Sequence, residues 1–88
     1  MNEQFEPLMK HGSIYAKVMA DSIQATLLQV AKQELATAEA EQVIGELTAP
    51  SLCRDLVEKE HRLAISEELT ALREIAMLLL IYIEEQAI

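Results

Sequence analysis

Glu58-Lys59-Glu60-His61 sets a carboxylate and an imidazole three positions apart in the middle of the chain. On a helix that spacing puts both side chains on one side, within reach of a shared ligand. Carboxylate and imidazole together suit iron and related divalent metals. Glu58 and His61 are therefore a candidate half-site, and Glu34 on an earlier stretch is the candidate third ligand. Other reactive residues make weaker groupings. His11 falls beside Gly12 in a turn with no clear partner and reads as a surface residue. Cys53 is the sole cysteine; near a helix start, with Arg54 beside it, its thiolate would gain some stability. No histidine is expected close by, so an inert, partly buried thiol is the reading. Ser13, Ser22, Ser51 and Ser66 form no triad with the two histidines, and there is no Gly-rich phosphate loop.

The elements that must position these residues are helices. Pro7 can start a short turn of helix and Gly12 can end it. Ser13 then caps a long stretch rich in Ala, Leu, Gln, Glu and Lys, with no Pro or Gly until Gly45. This predicts an N-terminal segment over 1–12, helix A over about 13–44 and a turn over 45–48, with Gly45 as a left-handed stop. Helix B follows over about 49–86, with Thr48 as its N-cap and Leu47 and Leu52 as a hydrophobic staple. Ala36, Ala38 and Ala40 form a small-residue patch suited to close helix approach. A short turn between two long helices predicts an antiparallel hairpin, in which facing residues have numbers adding to about 94. Ile14 to Ile23 would then lie beside Ala71 to Leu80, and Glu34 would stand close to Glu58 and His61. In a homodimer that arrangement resembles the half-ferritins, two-helix chains that build a di-iron carboxylate site by pairing. The resemblance covers Glu34 to His61 and implies iron held by Glu34, Glu58 and His61 of two copies. The chain departs from that pattern at Glu41, where a Tyr is common.

The segment IAMLLLIYI, Ile75 to Ile83, has no polar interruption. It is far short of the roughly 20 apolar residues that span a bilayer. Ile65, Leu69, Leu72, Ala76, Leu79 and Ile83 make one stripe at heptad spacing, and Ile75, Leu78 and Tyr82 make a second, while Met77 and Ile81 point elsewhere. A helix apolar nearly all round is buried nearly all round. Phe5, Leu8 and Met9 can fold over part of it, and a second copy is expected to cover the rest. The predicted dimer core is Ile65, Leu69, Leu72, Ile75, Leu79 and Ile83, in a four-helix bundle built from two hairpins.

Toward the turn the apolar faces change phase. Met19, Ile23, Leu27 and Val30 share one face of helix A with Glu34, and Glu41 follows on the same side. The core face of helix B, extended backwards, carries Arg54, Glu58 and His61, with Leu52, Leu56 and Leu63 opposite. Two accounts fit. Either the helices bend or break near Gln33 and Ser66, so that the charges face water and Leu35, Val43, Ile44 and the three leucines make a separate apolar surface. Or the helices stay straight, with Glu34, Glu41, Arg54, Glu58 and His61 inside and the displaced leucines facing another subunit or partner.

The chain has 88 residues, 15 acidic against 7 Lys and Arg, and a net charge of −8. One small domain is expected, of a size that often needs a partner chain for stability. The acidic balance argues against direct nucleic-acid binding and against anionic membrane surfaces. The opening MNEQFEPLMKHG has no apolar h-region after basic residues, so a cytoplasmic location is expected. From Glu34 to Glu60 there are 7 acidic and 2 basic residues, a net of −5, which suits a basic partner surface. The preferred reading is a non-enzymatic protein-binding module, without cofactor, that regulates, inhibits or chaperones another protein. Leu52, Leu56, Leu63, Glu39, Glu41 and Glu46 are its expected contact residues. The alternative is the di-iron protein, with iron on Glu34, Glu58 and His61.

Overall fold

A computed structural model describes residues 2–49 and 62–86, and these are all-helical, with no strand among them. A 3₁₀ turn, Asn2–Phe5, leads into α1 (Glu6–His11), with Pro7 in its first turn. Gly12 closes α1, its N–H donating to the Leu8 carbonyl at 2.9 Å. A Cβ at Gly12 would run into that same Leu8 carbonyl oxygen, so the position has no room for a side chain. Ser13 caps α2 (Ile14–Ala31), its Oγ accepting the Ala16 N–H at 3.1 Å. These boundaries are the ones that Pro7, Gly12 and Ser13 predict.

The long helix A expected over 13–44 is two helices. α2 stops at Ala31, and α3 runs Thr37–Leu47. Gln33 is in the left-handed region at φ 63°. Its N–H donates to the Val30 carbonyl at 3.0 Å, and the Glu34 N–H reaches back to Gln29 at 2.8 Å. That pair of bonds is the Schellman helix stop, with glutamine where glycine is usual. The break lies where the apolar face changes phase, so the first of the two accounts holds at Gln33. It does not hold at Ser66, through which α4 (Arg62–Gln86) runs unbroken. The predicted turn over 45–48 is also displaced. Gly45 lies inside α3 and does not adopt a positive φ. Thr48 closes α3, its Oγ1 donating to the Ile44 carbonyl at 2.7 Å. The first part of the predicted helix B, 50–61, lies outside the described residues.

The directions of the helices follow from their ends. Ser13, at the start of α2, donates from its N–H and its hydroxyl to Oε2 of Glu68, at 3.0 and 3.1 Å. At the other end, Val30 lines a groove with Ile83 and Glu84. The paired residues are therefore about the same number of positions apart at both ends, and α2 and α4 run parallel. α3 starts in the same groove, at Ala36 and Thr37, and by Gly45 it has come level with Arg73. It runs antiparallel to both neighbours. The hairpin register, with Ile14 to Ile23 beside Ala71 to Leu80, is not formed: the reversal at Gln33 adds a helix and restores the original direction.

The break has an energetic reason. With Val30 level with Ile83, α4 ends only a turn or so further on. A helix continuing to Ile44 would carry some 15–20 Å of its length past that end at 1.5 Å per residue. Leu35, Ala40 and Ile44 would have nothing to pack on. Folded back, Ala40 and Ile44 are fully buried and Leu35 and Leu47 are half-covered. Burying one isoleucine contributes roughly 1.5–3 kcal/mol, against about 1–2 kcal/mol for a left-handed non-glycine residue. Leu35 and Ile44 thus return to the common core, and Val43 is half-buried. Of the alanine patch only Ala40 is buried; Ala36, the N-cap of α3, and Ala38 face solvent.

On α4 the buried positions are Ile65, Leu69, Leu72, Ala76, Leu80 and Ile83. The heptad stripe expected Leu79 in place of Leu80. Facing this stripe are Ala16, Ala20, Ile23, Leu27 and Val30 of α2. Phe5 is fully buried in the same core, with Leu8 and Met9 packed against it, so the N-terminal segment does fold over α4. Among the described residues no helix is long and apolar enough to cross a membrane.

Candidate functional site

The residues proposed as a dimer core already have a cover. Ile65, Leu69, Leu72 and Ile83 are buried within the single chain, while Ile75 and Leu79 are half-buried. What the chain leaves open is the other side of α4. Leu78 is 68% exposed, Ile81 54% and Tyr82 57%, all within five residues. Two shallow grooves flank this strip. One, of about 490 Å³, is lined by Gln4, Ile75, Leu78, Leu79 and Tyr82. The other, of about 470 Å³, is lined by Arg73, Glu74, Met77, Leu78 and Ile81. The apolar run is thus half answered: α2 and the Phe5 segment cover its inner face, and its outer face meets solvent.

A second open surface lies on α3. Glu39, Glu41 and Glu46 are all exposed, and α3 contains no lysine or arginine. Because α3 runs antiparallel to α4, its last turn, with Glu46, points toward the α4 end that begins at Arg62. Leu63 at that end is 75% exposed. The two other leucines expected to make contacts, Leu52 and Leu56, lie outside the described residues.

Of the three candidate metal ligands only Glu34 is among the described residues. Glu34 is exposed in the loop after α2 and lines the groove beside Ile83 and Glu84, at the C-terminal end of α4. That is about 33 Å along α4 from Arg62, at 1.5 Å per residue. Glu58 and His61 lie outside the described residues. Among the described residues there is no group of three or more His, Cys, Asp or Glu placed to hold a metal ion.

The polar contacts that do form are structural. The Ser13–Glu68 pair joins the α1–α2 junction to α4 with charge-assisted hydrogen bonds across 55 sequence positions. No local motif marks Glu68 for this role, and sequence reasoning passed over it. Lys10 and Glu6 form an exposed pair at 2.8 Å along α1, of the sort that contributes little. No family model, no curated protein and no solved structure matches the chain.

Proposed function

We propose that the chain is a small acidic protein-binding module, not an enzyme, that holds and regulates another protein through helix faces. The observation that carries this reading is the exposed acidic surface of α3, with Glu39 and Glu46 on one flank of the helix and Glu41 on the other. It presents Glu39, Glu41 and Glu46 with no basic residue on the helix, and exposed Leu63 stands at the end of the molecule toward which it runs. Exposed carboxylates along one helix, with a large apolar side chain further toward the end to which it runs, suit a basic, amphipathic segment of a partner: charge steers the encounter and the leucine anchors it. None of these residues is needed for the core, so their exposure costs the fold nothing and leaves them free for contact.

The reading is tested by affinity purification from the source cells with the wild-type chain, a Leu63→Asp variant and a triple Glu39→Gln, Glu41→Gln, Glu46→Gln variant. The expected outcome is one protein retained by the wild type, released as salt is raised, and lost from both variants. Salt-insensitive capture of the same protein by all three would remove α3 and Leu63 from any binding role.

A further inference from the structure

The loop between α2 and α3, residues 32–36, contains nothing that would stop a helix locally. Lys32-Gln33-Glu34-Leu35-Ala36 has no glycine or proline and consists of good helix formers. The stop after α2 puts Gln33, a residue with a Cβ, in the left-handed region at φ 63°, where glycine would be unstrained. On the other side of the loop, Ala36 is the N-cap of α3 and has no side-chain oxygen to accept from the first amides of that helix. The last carbonyls of α2 and the first amides of α3 would satisfy one another if the loop were helical. Lys32, Gln33, Glu34 and Ale36 are exposed, and of the loop only Leu35 packs on the core. What holds the bend is the burial of Ala40 and Ile44 beyond it.

That burial can be supplied by a second copy. We propose that the loop is a hinge through which two chains exchange halves. With residues 32–36 helical, α2 and α3 become one helix from Ile14 to Leu47, and the α3–α4 pair of each chain is left without an α2. The α2 of the other chain takes its place. Residues 2–31 of each copy then pack on α3 and α4 of the other, as they do within the single chain. Ala40 and Ile44 are buried as before, Phe5 enters the other copy's core, and Ser13 donates to Glu68 of the other copy. Because α2 and α3 are antiparallel in the single chain, the two continuous helices lie antiparallel, and a two-fold axis passes between the paired hinges. The assembly is closed and isologous. Each half repeats the packing of the single chain, so no new surface has to be complementary. The exchange gains regular helix and relieves a left-handed glutamine at both hinges, and it costs the association of two chains. Chain concentration therefore sets which form prevails. Short hinge loops under strain invite such exchange. The hinge does not depend on the partner binding proposed for α3, and failure of either leaves the other standing.

The test is to refold the full chain from denaturant at low micromolar and at millimolar concentration, and to follow its mass by sedimentation velocity and its helix content by circular dichroism. The expected mass is the 9.9 kDa of one chain in the first case and twice that in the second, with more helix in the dimer. Reversal requires both cores to open, so the diluted dimer should persist, whereas a weak surface contact would dissociate at once. Gln33→Gly favours the bend and disfavours the helix at both hinges, and should weaken the dimer about a hundredfold. Ala36→Asp supplies the missing N-cap and should weaken it about tenfold. Gln33→Ala keeps the left-handed strain while raising helix propensity, and should strengthen the dimer about fourfold. Both positions are exposed, so the core is untouched. A wild type still monomeric after refolding at millimolar concentration would overturn the proposal. So would a dimer that falls apart at once on dilution, or one that Gln33→Gly and Ala36→Asp leave unchanged.

Discussion

The hydroxyl of Tyr15 is screened from solvent, and among the described residues no hydrogen-bond partner reaches it. A shielded hydroxyl without a partner costs about 1–3 kcal/mol relative to an apolar group of the same shape. Tyr15→Phe keeps the ring and removes the oxygen. It should raise stability by about 1 kcal/mol, read as a higher denaturant midpoint with an unchanged slope. A lower midpoint would mean that the hydroxyl is satisfied after all. Ser13 shows the opposite case. Its Oγ accepts from Ala16, and its N–H and hydroxyl both donate to Glu68, so one small side chain serves the cap and the contact with α4 together. Thr26 and Thr48 satisfy their hydroxyls locally, on carbonyls four residues back.

At the scale of the element, the stop after α2 is the most informative feature. It is held by the Schellman bonds of Gln33 and Glu34, although Lys32-Gln33-Glu34-Leu35-Ala36 consists of good helix formers. Intrinsic propensity would continue the helix, and burial of Ala40 and Ile44 outweighs it. A left-handed residue with a Cβ is strained, and glycine relieves the strain at some cost in unfolded-chain entropy. Gln33→Gly is therefore expected to stabilise the protein by about 0.5–1 kcal/mol, measured by chemical denaturation. Destabilisation by a similar amount would instead indicate a continuous helix through 31–37. The change of apolar phase at this point was visible in the residues themselves. What they did not reveal was that Leu35 and Ile44 would be turned back onto the same core.

For the whole molecule, the question is how so short a chain assembles a core. A domain of this length leaves a large share of its surface exposed and has little stability in reserve. Three long helical segments are insufficient by themselves, and the N-terminal turn completes the core with Phe5, the largest side chain fully buried there. Phe5→Ala should cost about 3–5 kcal/mol, a large part of what a small domain possesses. The expected result is a fall of many degrees in the thermal midpoint, or loss of cooperative unfolding altogether. A midpoint within a degree or two of wild type would show that the N-terminal segment is dispensable. Charge at this scale is also uneven. The exposed glutamates of α3 and the exposed apolar strip of α4 lie on different helices.

The sequence by itself determined what acts over a turn or two of chain. Pro7, Gly12 and Ser13 mark the ends of α1 and the start of α2, because capping and φ restriction are properties of a few adjacent residues. Five of the six residues of the α4 core stripe follow from spacing alone, since a 3.6-residue repeat defines a face without reference to any neighbour. Tertiary structure decided the rest. The direction of α4 relative to α2 depends on which residues meet across fifty or so positions, as Ser13 and Glu68 do, and nothing local encodes that meeting. The same contacts set where α2 must end, and hence why Gln33 takes a conformation it does not favour. They also carried Glu34 to the C-terminal end of α4, away from the position that an antiparallel hairpin would have given it. Periodicity says which face of a helix is buried. Only the packed molecule says what buries it, and so which apolar residues, Leu78, Ile81 and Tyr82 among them, stay exposed.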